Sequence, residues 1–167
     1  MNTMTRTRTH FRRRLPARIA VTAVLLALTV PMAQADSVGM PRNVPPAYVS
    51  ECAACHMAYP PVLLPAASWQ RIMGGLDRHF GTDASMDPAS VAQVGNWLQT
   101  HAGSYKRVRE VPPQDRITQS TWFARKHRDV APEVWKRASV RSPANCMACH
   151  SGADKGDFDD DRVHIPK

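Results

Sequence analysis

Beyond residue 35 the sequence has no apolar run approaching membrane length, no stretch that alternates apolar and polar residues, and few large aromatic side chains. The first absence excludes a spanning helix there, because a span takes roughly 20 consecutive apolar residues. The second leaves no strand to build a sheet from. The expected fold is therefore mainly α with extensive irregular loops. Three phenylalanines and four tryptophans across the last 132 residues make a thin core, thinner than small domains comfortably tolerate. Apolar volume has to come from something other than side chains.

Acidic residues are missing from the first 35 positions, which carry six arginines, namely Arg6, Arg8, Arg12, Arg13, Arg14 and Arg18. The formal charge of +8 thus belongs mostly to the N-terminus, and the remainder holds sixteen basic against fourteen acidic side chains. That near balance removes the case for nucleic-acid binding. A basic start, the twelve-residue apolar run Ile19 to Val30, and small residues at Ala33 and Ala35 read as an export signal cleaved after about Ala35. An uncleaved anchor is the competing reading, but the run is short for one. Arg13-Arg14 is followed by Leu15-Pro16-Ala17 rather than an apolar continuation, so general secretion is expected rather than twin-arginine export.

All four cysteines lie in two copies of one motif, Cys52-Ala53-Ala54-Cys55-His56 and Cys146-Met147-Ala148-Cys149-His150. C-x-x-C-H is the attachment signature of a c-type haem. Thiols three residues apart on a helical turn each add to a porphyrin vinyl group, and the next residue places imidazole beneath the iron. Two disulfides, a thioredoxin-like redox pair and a four-cysteine zinc site compete with this reading. The zinc site needs ligands about 90 residues apart and leaves both following histidines unexplained, and the redox motif would not appear twice without a βαβ pattern. Two covalent haems consume every cysteine and supply the missing apolar volume.

The chain between the motifs reads as short helices. Residues 36–46 form a Pro-rich extended lead-in, and Pro60, Pro61 and Pro65 wrap loop around the haem edge, where a proline carbonyl is expected to fix the ring of His56. Ser68 reads as an N-cap, with Trp69, Ile72, Met73, Leu76 and His79 or Phe80 on one face before Gly81. Asp87-Pro88 opens a helix ending near Gly103, with Val91, Val94, Leu98 and His101 inward. Thr121 is expected to cap Trp122 to Arg128, a helix carrying His127 four residues after Phe123, and Asn145 to cap the second haem helix up to Gly152. Residues 36–103 and 118–167 are taken as two haem domains joined by a linker at 104–117.

The position opposite each proximal histidine decides between electron transfer and ligand chemistry. His79 follows His56 by 23 residues, and His127 precedes His150 by 23. These intervals favour His79 for the first iron and His127 for the second. His101 and Met86 remain alternatives, and so does a crossed pairing. Met57 and Met147 are tied to the proximal side, Met73 reads as core, and His164 as solvent-facing.

The stretches ECAACHMAYPPVLLPAASWQRIMGGLDRHFGTDA at Glu51 to Ala84, TWFARKHRD at Thr121 to Asp129, and NCMACHSGADKGDFDDDRVHIP at Asn145 to Pro166 resemble the dihaem cytochrome c family of proteobacteria. The resemblance implies a periplasmic electron carrier rather than an enzyme, with an N-terminal class I cytochrome c-like half and an irregular C-terminal half wrapped around its haem. It implies two bis-histidine haems, with His79 and His127 at the distal positions. The expected partners are a membrane b-type cytochrome and soluble haem proteins such as a small oxygen-binding cytochrome, served by a monomer. Two imidazoles stabilise ferric iron, so low potentials are expected. The competing class is a ligand-binding or catalytic dihaem protein, such as a peroxidase, nitric oxide binder or sensor, with one open or displaceable sixth position. Basic residues from Lys106 to Arg141 offer either an ordinary solvated surface, partners for haem propionates, or a docking patch for an acidic protein.

Overall fold

Proline opens three of the five α-helices among the described residues, a position where its missing N–H costs no hydrogen bond and its fixed φ suits the first turn. The computed structural model describes residues 38–167; the expected export signal at 1–35 lies outside them. The helices are α1 (Pro46–Cys52), α2 (Ala66–Met73), α3 (Pro88–Thr100), α4 (Thr121–Lys126) and α5 (Pro132–Trp135). Eight 3-10 turns and long irregular connections join them, and no strand occurs among the described residues, only isolated bridges at Pro65–Gly103 and His79–Thr82. None of these helices is long and apolar enough to cross a membrane.

The main core lies where α2 packs on α3 and both meet α1. Tyr48, Leu64, Trp69, Met73, Val94, Trp97 and Leu98 are buried there, with the Tyr48 and Trp97 rings 4.6 Å apart. Gly95 lets α3 approach closely, since a Cβ there would already touch the Met73 side chain at 3.8 Å. The segment after residue 120 buries far less apolar surface: Phe123, Val134, Val140 and Ala153 are its only buried hydrophobics among the described residues.

Helix starts follow the sequence in one place and depart from it in others. Asp87 caps α3 as expected, its carboxylate accepting from the Ala89 and Ser90 amides. Ser68 is not a cap. It sits inside α2, fully buried, because Pro65 starts the helix three residues earlier. The apolar stripe from Trp69 onward is also not one helix, as Gly74-Gly75 break it and a separate 3-10 turn, Leu76–Arg78, carries the chain to His79. Ser120, not Thr121, caps α4, accepting from the Phe123 amide, and His127 closes that helix at its C-terminus. Asn145 makes no cap bond and donates instead to the Val140 carbonyl.

Both cysteine motifs are less helical than their spacing suggests. α1 ends at Cys52, so Cys55 and His56 follow on a turn, and Cys146–Ala148 is a 3-10 turn. A single tight turn suffices to bring two side chains three residues apart to one side.

Candidate functional site

At the first motif, α1 delivers Cys52 and the following turn delivers Cys55 and His56 to the rim of a cavity of about 840 Å³. Leu64, Trp69, Met73 and Leu98 form part of its apolar wall, and His79 faces His56 across it. That volume falls within the range of cofactor and ligand sites. None of the four cysteines is in a disulfide, and burial pushes the Cys52 and Cys146 thiols up to about 11.

His56 and His79 have ring centroids 6.1 Å apart, with planes inclined at 28°. Two imidazoles bound on opposite sides of one metal at about 2.0 Å, each ring centre lying about 1.1 Å behind its nitrogen, have centroids about 6.2 Å apart. The pair therefore fits a single iron between them, and the Cys52 and Cys55 thiols beside His56 could supply the thioether bonds of a covalent haem. Nδ1 of His56 donates to the Met57 carbonyl at 2.7 Å, not to a proline carbonyl as the sequence suggested. The nearby Pro61 carbonyl instead takes the Trp69 indole N–H, also at 2.7 Å. Burial, aided by His56 and Arg116, holds the His79 imidazole below its usual pKa and so favours its neutral, metal-binding form.

The second motif repeats the arrangement. His127, at the end of α4, and His150 have centroids 6.1 Å apart, but with planes at 84°. Nδ1 of His127 donates to the Phe123 carbonyl at 2.9 Å, and the Phe123 ring stacks on it at 4.0 Å. Phe158 packs against His150 at 5.3 Å. Burial, then the neighbouring His127, lowers the His150 pKa against the opposing pull of Asp160 and Asp157.

The remaining candidates go elsewhere. His101 turns its Nδ1 to the Trp97 carbonyl at 2.8 Å and does not line the cavity. Met73 is a core residue, and Met86 sits at the cavity wall. Sequence reasoning passed over Tyr59, whose ring stacks on His56 at 4.8 Å, and Arg116, whose guanidinium lies over Phe80 at 4.3 Å. An aromatic three residues past a haem motif was the available signal for Tyr59. Arg116 had none, since 37 residues separate it from His79.

The sequence pattern of the dihaem cytochrome c family matches residues 48–158. The chain belongs to the dihaem cytochrome c family. It is similar to a diheme cytochrome c from Shewanella baltica, 38% identical over 74% of this chain and 95% of that one, with a TM-score of 0.65. A diheme cytochrome c from Rhodobacter sphaeroides is 42% identical over 72% of this chain and 99% of that one, with a TM-score of 0.63. A second Rhodobacter sphaeroides structure, of purified DHC, is 44% identical over 70% and 98%, with a TM-score of 0.60. No match is found among curated proteins. As a dihaem cytochrome c the protein carries two covalently bound haem c groups with iron and is an electron-transfer haem protein.

Proposed function

We propose that this dihaem cytochrome is a low-potential one-electron carrier in which each haem is held between two histidines, His56 with His79 and His150 with His127. The observation that carries the reading is the 6.1 Å separation within both pairs. Haem iron supplies a ferric/ferrous couple, and a second imidazole in place of methionine favours the ferric state and lowers the potential. The protein's part is to present neutral imidazoles in a fixed tautomer. The Met57 and Phe123 carbonyls accept from Nδ1 of His56 and His127, which leaves Nε2 free to bind and raises its basicity. Cys52, Cys55, Cys146 and Cys149 provide the thioethers. Arg116 and Arg141 on the cavity wall bring positive charge suited to haem propionates.

Histidines paired in this way would leave neither iron a site for peroxide or a gas, which favours a carrier over a catalyst. The signal-like residues 1–35 support export to the periplasm. There the expected exchange is with a membrane b-type cytochrome and soluble haem proteins such as a small oxygen-binding cytochrome. Carbon monoxide added to the reduced protein tests the closed sites: no prompt spectral shift is expected, and a prompt shift at either haem overturns them.

A further inference from the structure

The two histidine pairs match in separation and differ in orientation. His56 and His79 lie near parallel at 28°, whereas His127 and His150 are close to perpendicular at 84°. Local packing accounts for the second arrangement. Phe123 covers one face of His127, with centroids 4.0 Å apart and planes within 22°. Trp135 abuts the same imidazole at 5.7 Å and 59°, and also packs on Phe123 at 6.1 Å. The bond from Nδ1 to the Phe123 carbonyl, one helical turn back, ties the ring to the end of α4. Rotating the His127 plane toward that of His150 would break this bond and drive the ring edge into Phe123. Around the first pair the stacking partner is Tyr59, within 25° of the His56 plane, and Phe80 meets His79 only edge-on at 65°.

We propose that Phe123 and Trp135 are positioning residues that hold the His127 ring across the plane of His150, giving the second iron crossed axial imidazoles while the first has near-parallel ones. This rests on the bis-histidine reading above and adds to it an inequivalence between the two sites. The consequence is electronic. In low-spin ferric iron the unpaired electron occupies one of two d orbitals that overlap with the imidazole π systems. Parallel planes split those orbitals in the same sense and produce a rhombic paramagnetic spectrum, whereas crossed planes oppose one another, leave the pair nearly degenerate and produce a strongly anisotropic one. Ligand orientation set by surrounding side chains is among the controls a protein has over a bound metal.

Low-temperature electron paramagnetic resonance of the oxidised holoprotein tests this. Two low-spin components in equal amounts are expected, one rhombic and one strongly anisotropic, with the anisotropic one lost in His127→Ala. Phe123→Leu should shift the anisotropic component toward the rhombic form and leave the other unmoved, while Phe123→Tyr, which keeps the stacked ring, should restore it. Trp135 is only half-buried, so Trp135→Leu provides a second variant if Phe123→Leu does not fold, with a smaller shift in the same direction. Two rhombic components of like shape would overturn the crossed geometry and leave bis-histidine ligation standing. A high-spin or methionine-type component would overturn the ligation itself. An anisotropic component unchanged in both leucine variants would remove the positioning role.

Discussion

The Tyr59 hydroxyl donates to the Ala144 carbonyl at 2.7 Å, across 85 residues of sequence. The same ring stacks on His56, and Ala144 lies two residues before Cys146. One side chain thus touches the histidine of the first motif and the entry to the second. A second tyrosine backs it, since the buried Tyr48 hydroxyl donates to the Tyr59 carbonyl.

Tyr59→Phe keeps the ring on His56 and deletes only the bond to Ala144. A loss of about 1 kcal/mol in unfolding free energy is expected, with the absorption spectrum of the first haem unchanged. Denaturant titration followed at both haem and far-ultraviolet wavelengths checks this, and a change in the first haem's spectrum would count against the division of roles.

Four buried hydrophobics after residue 120 are too few to hold that segment by packing alone. Replacing both Cys146 and Cys149 by alanine should therefore expose the chain beyond residue 118 to limited proteolysis, while the region around α1 to α3 stays protected and retains its haem. Equal protection of both regions would show that the second segment folds without its covalent haem.

His79→Ala and His127→Ala should each open one iron. Carbon monoxide added to the reduced variants then shifts one haem's spectrum in each case, and the remaining haem stays closed. His101→Ala should bind none, because His101 is turned to the Trp97 carbonyl and lies off the cavity.

Arg71 grips Asp115 at two points, 2.9 Å from Nε and 2.7 Å from Nη2, and this hydrogen bonding holds the Asp115 carboxyl below its ordinary value of 3.8. A carboxyl with a lower pKa folded than unfolded stabilises the protein above pH 3.8, and that contribution is lost as pH falls through the folded value. Asp115→Asn should accordingly melt at a lower temperature than the parent at pH 7, with the gap closing in acid. The effect should be modest and shrink with salt, since Arg71 is half exposed. A gap that persists undiminished in acid would assign it to something other than the ion pair.

Gly103 donates its amide to the Leu64 carbonyl at 2.9 Å, and a Cβ there would fall 2.4 Å from the Val62 carbonyl oxygen and 2.8 Å from both Val108 methyls. Gly103→Ala should cost about 1–3 kcal/mol through overpacking, read as an earlier unfolding midpoint with both haems still attached.

The α-helical class and the two haems were legible in the residues, the haems because thioether attachment is local chemistry, confined to five consecutive positions. His79 and His127 stood out by their intervals and the aromatics beside them. Helix starts at Ser68 and Thr121 misled, since a serine or threonine near an apolar run can be a cap or a buried residue, and only the neighbouring Pro65 and Ser120 decide which.

Sequence by itself determined that the protein carries two covalent haems. Tertiary structure alone decided that His79 comes within 6.1 Å of His56, that His127 meets His150 at 84° where the other pair lies at 28°, and that Tyr59 ties one motif to the other. Those relations depend on the break at Gly74-Gly75, the positive φ values of Phe80 and Arg141, and stacking between residues far apart in sequence. Apart from the glycine pair, none of these leaves a period or a motif behind, because long-range packing fixes them, and packing follows the path of the whole chain rather than the pattern of any one segment.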